Sequence, residues 1–177
     1  SNTIHLKRED LQPIFSFKCR GAYNKISSLS SKDKEKGIIA ASAGNHAQGV
    51  ALSASKLNID ATIVMPTTTP SIKIESVRKF GVKVKLYGDS FDEAYENALE
   101  VSKNEGKIFI HPFDDPLVIA GQGTVAKEIV EELEDVPDIF FIPVGGGGLI
   151  SGMSLYIKKH YPNAKVYGVE SEDAPTL

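Results

Sequence analysis

The chain has 177 residues, 41% of them hydrophobic and 24% charged, with a formal net charge of -3. That balance suits a folded domain, or two small ones, with a core of its own, and excludes a disordered tail. It also lacks the basic surplus of a nucleic-acid footprint, and no apolar run reaches bilayer-spanning length. The single cysteine, Cys19, excludes an internal disulfide and fits a reducing, cytoplasmic compartment. The histidines His5, His46, His111 and His160 lack zinc spacing, so no metal site is expected. With no initiating Met and with "GVESEDAPTL" stopping just after a strand pattern, the sequence reads as a piece of a longer chain.

Strand patterns fall at Gly37–Ser42 (GIIAAS), Asp60–Pro66 (DATIVMP), Val82–Gly88 (VKVKLYG), Lys107–Pro112 (KIFIHP), Ile139–Val144 (IFFIPV) and Ala164–Glu170 (AKVYGVE). Several are nearly continuous in apolar residues, as strands buried on both faces are. Helical spacing lies between them. Ala47, Val50, Ala51, Ala54 and Leu57 mark one helix, closed by Lys56 and Asn58. Phe91, Ala94, Tyr95, Ala98, Leu99 and Val101 mark another. Val125, Ile129, Val130 and Leu133 mark a third, with Glu128, Glu131 and Glu132 on a solvated face. Leu149, Ile150, Met153 and Ile157 mark a fourth. This alternation predicts an α/β fold of mostly parallel, open, twisted sheets with helices on both faces and right-handed crossovers.

In such folds ligands sit beyond the carboxyl ends of the strands. Three segments are expected at or near those ends: Ser16–Ala22 (SFKCRGA), Ser42–Gly49 (SAGNHAQG) and Gly145–Leu149 (GGGGL). A glycine run between a strand and a helix frees backbone amides to wrap an anion, and the helix start adds its positive dipole end. The run lacks the Lys-Ser/Thr of a P-loop and is a poor dinucleotide fingerprint. Ser42 suits an N-cap or an anion ligand, and Asn45 offers both a donor and an acceptor; ordinary capping explains them equally well. Lys18 stands between Phe17 and Cys19, where apolar neighbours lower an amine's proton affinity, unless it is a surface lysine opening a helix. A reactive lysine, an asparagine loop and a phosphate cradle together are what a pyridoxal phosphate site needs.

At these residues the sequence resembles the fold-type II pyridoxal-phosphate enzymes, nearest the threonine dehydratase (threonine ammonia-lyase) group that also holds serine racemase. The resemblance rests on "KREDLQPIFSFKCRGAYNKI", "ASAGNHAQGVA", "IVMP", "VIAGQGT" and "PVGGGGLISG", and covers nearly the whole chain. It implies that Lys18 forms the Schiff base with pyridoxal 5'-phosphate. Asn45 would meet the ring's phenolic oxygen, and the amides of Gly145, Gly146, Gly147, Gly148 and Leu149 would hold the phosphate. Ser42, Asn45 and His46 would line the substrate carboxylate site. Residues 37–114 would form the smaller α/β domain, with 1–36 and 115–177 contributing to the larger one, incomplete at the C-terminus.

The implied activity is β-elimination of threonine to 2-oxobutanoate and ammonia, and of serine to pyruvate, in amino-acid metabolism leading to isoleucine. A homo-oligomer of the full-length protein and small amino-acid substrates are implied as well, with no membrane or nucleic-acid partner. Serine racemases of the group carry a serine where Ala43 stands, so racemisation is disfavoured. Glu170 matches one ligand of their metal site, but Thr176 stands where an aspartate is expected. The residue that contacts the pyridine nitrogen lies beyond 177, so this piece alone is expected to bind cofactor weakly or not at all. The alternatives are a serine racemase or dehydratase, a cysteine-synthase-like enzyme, and a non-catalytic phosphate-binding α/β module.

Overall fold

The computed structural model describes residues 2–173, 175 and 176. Its strands are β1 (Ile38–Ala41), β2 (Ala61–Met65), β3 (Lys83–Leu86), β4 (Ile108–Phe109), β5 (Ile139–Pro143) and β6 (Lys165–Val169). Its helices are α1 (Lys18–Ser27), α2 (Ser31–Lys36), α3 (Asn45–Leu57), α4 (Ser71–Arg78), α5 (Phe91–Glu105), α6 (Pro116–Glu132) and α7 (Gly148–His160). A short 3-10 turn, Glu9–Leu11, precedes α1.

The first four strands form one parallel sheet in the order β3-β2-β1-β4. The chain lays down β1, β2 and β3 outward in one direction, then returns past β1 to add β4. The order therefore reverses between β1 and β4, and a crevice opens there beyond the carboxyl ends of the strands. β1 and β2 are buried along their whole length. Ile38, Ala40, Ile63 and Met65 face a core with Ala22 and Ile26 of α1, Val50 and Ala54 of α3, and Ile74 and Val77 of α4. Ile39, Ala41 and Val64 face Ala94 and Ala98 of α5 on the other side. Their unbroken apolar runs thus mean two covered faces, as expected. β3 is an edge strand, and its Lys83 pairs outward with Asp60 at 3.0 Å.

β5 and β6 form a second, parallel pair. Phe140 and Ile142 turn inward onto Val125 and Ala126 of α6 and Leu149, Met153 and Ile157 of α7. The alternate residues face outward, with Phe141 70% exposed and stacked on Tyr167 at 5.6 Å. β5 is thus apolar on its outward face as well. Among the described residues only one of its faces is covered.

All six predicted strands and all four predicted helices are present, with ends moved by a few residues. α6 begins nine residues before its first predicted marker. Asp115 caps it by accepting from the Leu117 and Val118 amides, with Pro116 at its first position. The two glycines in "VIAGQGT" obscure that start by reading as helix breakers. α1, α2 and α4 lie outside those four: α1 figures only as the helix a surface Lys18 would open, α2 is polar throughout, and α4 is short with few apolar positions.

Those glycines are helix contacts. A Cβ on Gly121 would lie 2.6 Å from Gly21 Cα in α1. One on Gly123 would lie 2.9 Å from the Gly152 carbonyl in α7. α6 thus meets α1 and α7 backbone to backbone, closer than side chains allow. Gly152→Ala, whose Cβ would sit 2.2 Å from the Ile119 carbonyl, is expected to destabilise the protein by about 2 kcal/mol or more despite its helix-propensity gain. Urea denaturation of the full-length protein checks this, and an unchanged midpoint would contradict the contact.

Candidate active site

The site is assembled at the reversal between β1 and β4. After β1 the chain runs through Ser42, Ala43 and Gly44 into α3. Ser42 Oγ accepts from the Gly44 amide at 3.1 Å, and Gly44 is the N-cap of α3, with no side-chain cap on the helix. The sequence expectation that Ser42 or Asn45 caps this helix is corrected: Ser42 closes the turn before it, and Asn45 is its exposed first residue. His46 is buried, and its Nε2 donates to the Ile110 carbonyl at 2.9 Å. Burial pushes its pKa down to about 4, and the nearby Lys18 charge acts in the same direction. His46 is therefore a neutral imidazole that pins the start of α3 to the end of β4.

Beyond β4 the chain reads Ile110-His111-Pro112-Phe113-Asp114, and each of its first four residues has a distinct partner. The Ile110 carbonyl takes His46. His111 Nδ1 accepts from the Asp114 amide at 2.8 Å and the Phe113 amide at 3.3 Å, folding the segment on itself. The Pro112 carbonyl accepts from Lys18 Nζ at 2.7 Å. The Phe113 ring occupies the space a Cβ on Gly146 would need, and its backbone abuts Gly148. Sequence reading missed this segment, noting only a strand and a scattered histidine. The signal available was a polar run at the carboxyl end of the return strand.

Lys18 does not follow a strand in the chain, yet its amine reaches Pro112, just beyond the carboxyl end of β4. It is the first residue of α1 and reaches the crevice because α1 packs on α3. Gly49 lies flush on the Lys18 carbonyl, where a Cβ would be 2.9 Å away. The turn before it holds Phe15 in a left-handed conformation with φ of 56°, a strained state for a bulky side chain. Burial depresses the Lys18 amine from the usual lysine range. Cys19 beside it donates its thiol to the Ser16 carbonyl at 3.4 Å, and burial raises its pKa, keeping it a thiol.

The glycine run joins β5 to α7. Gly147 is the N-cap, left-handed with φ of 80°, and α7 has no side-chain cap. A Cβ on Gly145 or Gly147 would meet nothing within 4 Å, whereas Gly146 and Gly148 rest on Phe113. One side of the loop is thus packed and the other open. With the first-turn amides of α7 and its dipole, the open side suits an anion. The Thr176 hydroxyl donates to the Gly145 carbonyl at 2.9 Å, and the Thr176 amide to Glu170 Oε1 at 2.7 Å. Among the described residues no group of three His, Cys, Asp or Glu side chains is placed to hold a metal ion. A half-buried primary amine with lowered proton affinity and a glycine loop at a helix start, both tied to residues 110–113, fit an aldehyde cofactor bearing a phosphate.

Comparison with known proteins agrees. The family model for pyridoxal-phosphate dependent enzymes matches residues 1–177. The biosynthetic L-threonine dehydratase IlvA of Haemophilus influenzae is 56% identical over 176 residues, covering 99% of this chain and 34% of the relative. The processed form of threonine deaminase isoform 2 from Solanum lycopersicum is 58% identical, with a TM-score of 0.91 over 94% of this chain and 48% of that one. Maize serine racemase is 36% identical with a TM-score of 0.90, over 94% of this chain and 50% of that one. The chain thus spans about a third of the curated relative's length.

The His46 shift has a measurable consequence. Its folded pKa of about 4 lies below the ordinary 6.5, so its contribution to stability is complete above pH 6.5 and is lost as pH falls toward 4. Over that window the protein is expected to lose up to about 3 kcal/mol more stability than a His46→Gln variant. Denaturation of the full-length protein at pH 7, 5.5 and 4 checks this; parallel pH profiles would show His46 to be freely titrating.

Proposed function

This chain belongs to the family of pyridoxal-phosphate dependent enzymes, and from that premise we propose that the protein containing it deaminates L-threonine by β-elimination: water leaves, and a water is taken up again as the released enamine hydrolyses to 2-oxobutanoate and ammonia. On this reading it also acts on L-serine, giving pyruvate. The observation that carries the proposal is the Lys18 amine, half-buried and held by the Pro112 carbonyl, one residue from the Phe113 ring on which the glycine cradle rests. A phosphate-binding module would need the cradle but not this lysine.

Lys18 would hold the cofactor covalently, with the amides of Gly145, Gly146, Gly147, Gly148 and Leu149 around its phosphate and Asn45 at its ring. When bound, the cofactor supplies an electron sink for charge developing at the substrate α-carbon. The chain's own residues do the rest. The Lys18 amine, with its lowered proton affinity, takes the α-proton. The start of α3, from Ser42 to His46, offers first-turn amides and a positive dipole end to the substrate carboxylate. His46 stays neutral there, its Nε2 committed to Ile110, and so holds the α3 start in place. Ala43 has no proton to deliver to the opposite face of the substrate, which favours elimination over racemisation. The greater identity to the threonine enzymes than to the serine racemase supports threonine as the substrate.

In this reading residues 37–114 form the smaller domain around the four-stranded sheet. Residues 1–36 and 115–177 contribute α1, α6, α7 and the β5-β6 pair to the larger one. The full-length protein is a homo-oligomer in the cytoplasm. No helix among the described residues is long and apolar enough to cross a membrane.

Full-length protein mixed with pyridoxal phosphate and reduced with borohydride should be labelled at Lys18. Lys18→Ala should lose the label, and its turnover should fall by about 10³-fold or more. Oxo-acid formation from threonine and serine in parallel sets the substrate. Label at another lysine, or none, would refute the enzyme reading. Pyruvate from serine equal to or above 2-oxobutanoate from threonine would make the protein a serine dehydratase.

A further inference from the structure

Gln122 has no part in the site as described, yet it is 1% exposed at the centre of α6. A buried primary amide needs hydrogen-bond partners. Its Oε1 accepts from the Gly21 amide at 3.2 Å. Gly21 lies one helical turn beyond Lys18. In the other helices the amide four residues after the N-cap donates to the N-cap carbonyl: Lys34 to Ser30, Gln48 to Gly44, Ile74 to Pro70, Ala94 to Ser90, Ile119 to Asp115 and Ser151 to Gly147. In α1 the N-cap carbonyl, that of Phe17, receives the Arg20 amide at 3.0 Å, and Gly21 donates sideways to Gln122. The first turn is tightened and tethered to α6. Gly21 must lack a side chain for this, since a Cβ would stand 2.4 Å from Gln122 Nε2.

Lys18 opens this turn. Gly49 of α3 presses on its carbonyl, and its own amide donates to Ser16 Oγ at 3.3 Å. Those contacts fix the turn from the α3 side and from the preceding loop. From the α6 side the turn is held by Arg20 on Glu128 and Thr124, by Gly121 against Gly21, and by Gln122, whose amide oxygen takes a backbone donor of the turn. Rotation of this turn about the helix axis would sweep the Lys18 side chain away from the Pro112 carbonyl.

We propose that Gln122 is a positioning residue for Lys18, setting the first turn of α1 so that the lysine amine meets the Pro112 carbonyl. The role depends on the amide oxygen as an acceptor, not on side-chain volume. It rests on reading Lys18 as the cofactor-binding lysine.

The test uses full-length Gln122→Met, which keeps length without the acceptor, and Gln122→Glu, which keeps an acceptor. The rate of pyridoxal phosphate attachment to Lys18, trapped by borohydride, is followed against pH. Gln122→Met should slow attachment about 10- to 100-fold near neutral pH, as a small misplacement of a reacting group does. Its pH midpoint should rise toward that of an ordinary lysine. The KM for threonine should stay within about twofold while kcat falls, since ground-state binding is untouched. Gln122→Glu should keep the wild-type midpoint. A wild-type profile in Gln122→Met overturns the proposal. If that variant does not fold, deuterium exchange in the wild-type protein decides: a Gly21 amide as slow as the α1 interior supports the tether, and exchange at the rate of an unstructured amide overturns it. Wild-type label at a lysine other than Lys18 fails the cofactor reading instead, and Gly21 exchange then still decides whether the tether exists.

Discussion

Helix α6 touches α1 on one side and α7 on the other at distances that only glycine permits. Gly121 meets Gly21, Gly123 meets Gly152, and Gly49 of α3 completes the set against Lys18. The lysine begins α1 and the anion cradle begins α7, so the spacing between these two functions is set by backbone contacts through α6. Close-packed backbones leave little room for relaxation, and a displacement at one crossing is passed to the next helix. The glycines weaken each helix taken alone by about 1 kcal/mol apiece. What they secure is a rigid frame in which two distant stretches of sequence keep a fixed separation.

Lys18 and Arg20 lie two residues apart and have opposite electrostatic fates. Arg20 forms a paired bridge to Glu9 and another to Glu128, with Thr124 beside them, and these partners raise its pKa. Glu128 is held down at about 2 by the same contacts, with Lys7 also within 3.0 Å. It is therefore a tie between the N-terminal segment, α1 and α6, not the member of a solvated face that its helical position suggests. Lys18 has a carbonyl for a partner and has lost part of its hydration, so it moves the other way. One turn of helix thus carries a structural cation whose charge is secured and an amine whose charge is disfavoured.

Much of this was legible in the sequence, and the reasons differ by element. β1 and β2 announced themselves because two-sided burial demands unbroken apolar runs. The glycine cradle was visible because four consecutive glycines between a strand and a helix have few other uses. Asn45 and His46 stood out by their place after β1, at the start of α3. The residues that join these parts were not. Pro112 acts through its carbonyl, and backbone chemistry leaves no trace in a residue's identity. Phe113 and Ile110 look like ordinary apolar residues. Gly121 and Gly123 carry a local signal, helix breaking, that tertiary packing overrides, and so α6 was read as half its true length. Motif residues can be read locally. Their connectors need the topology, since the meeting of β1 and β4 follows from strand order and not from either strand's sequence.

The same topology explains how the Lys18 amine loses proton affinity with, among the described residues, a carbonyl and no carboxylate against it. Burial is the main cause of its lowered proton affinity. Position adds to it, because Lys18 is the first residue of α1, where the helix dipole opposes a positive charge. The helix starts of α3 and α7 also have glycine N-caps and no side-chain caps, so their positive ends are left for an anion. An ammonium is disfavoured where anions are welcome. The arrangement favours a neutral amine beside places for a phosphate and a carboxylate, and it does so with backbone dipoles that need no counter-charge and cannot titrate.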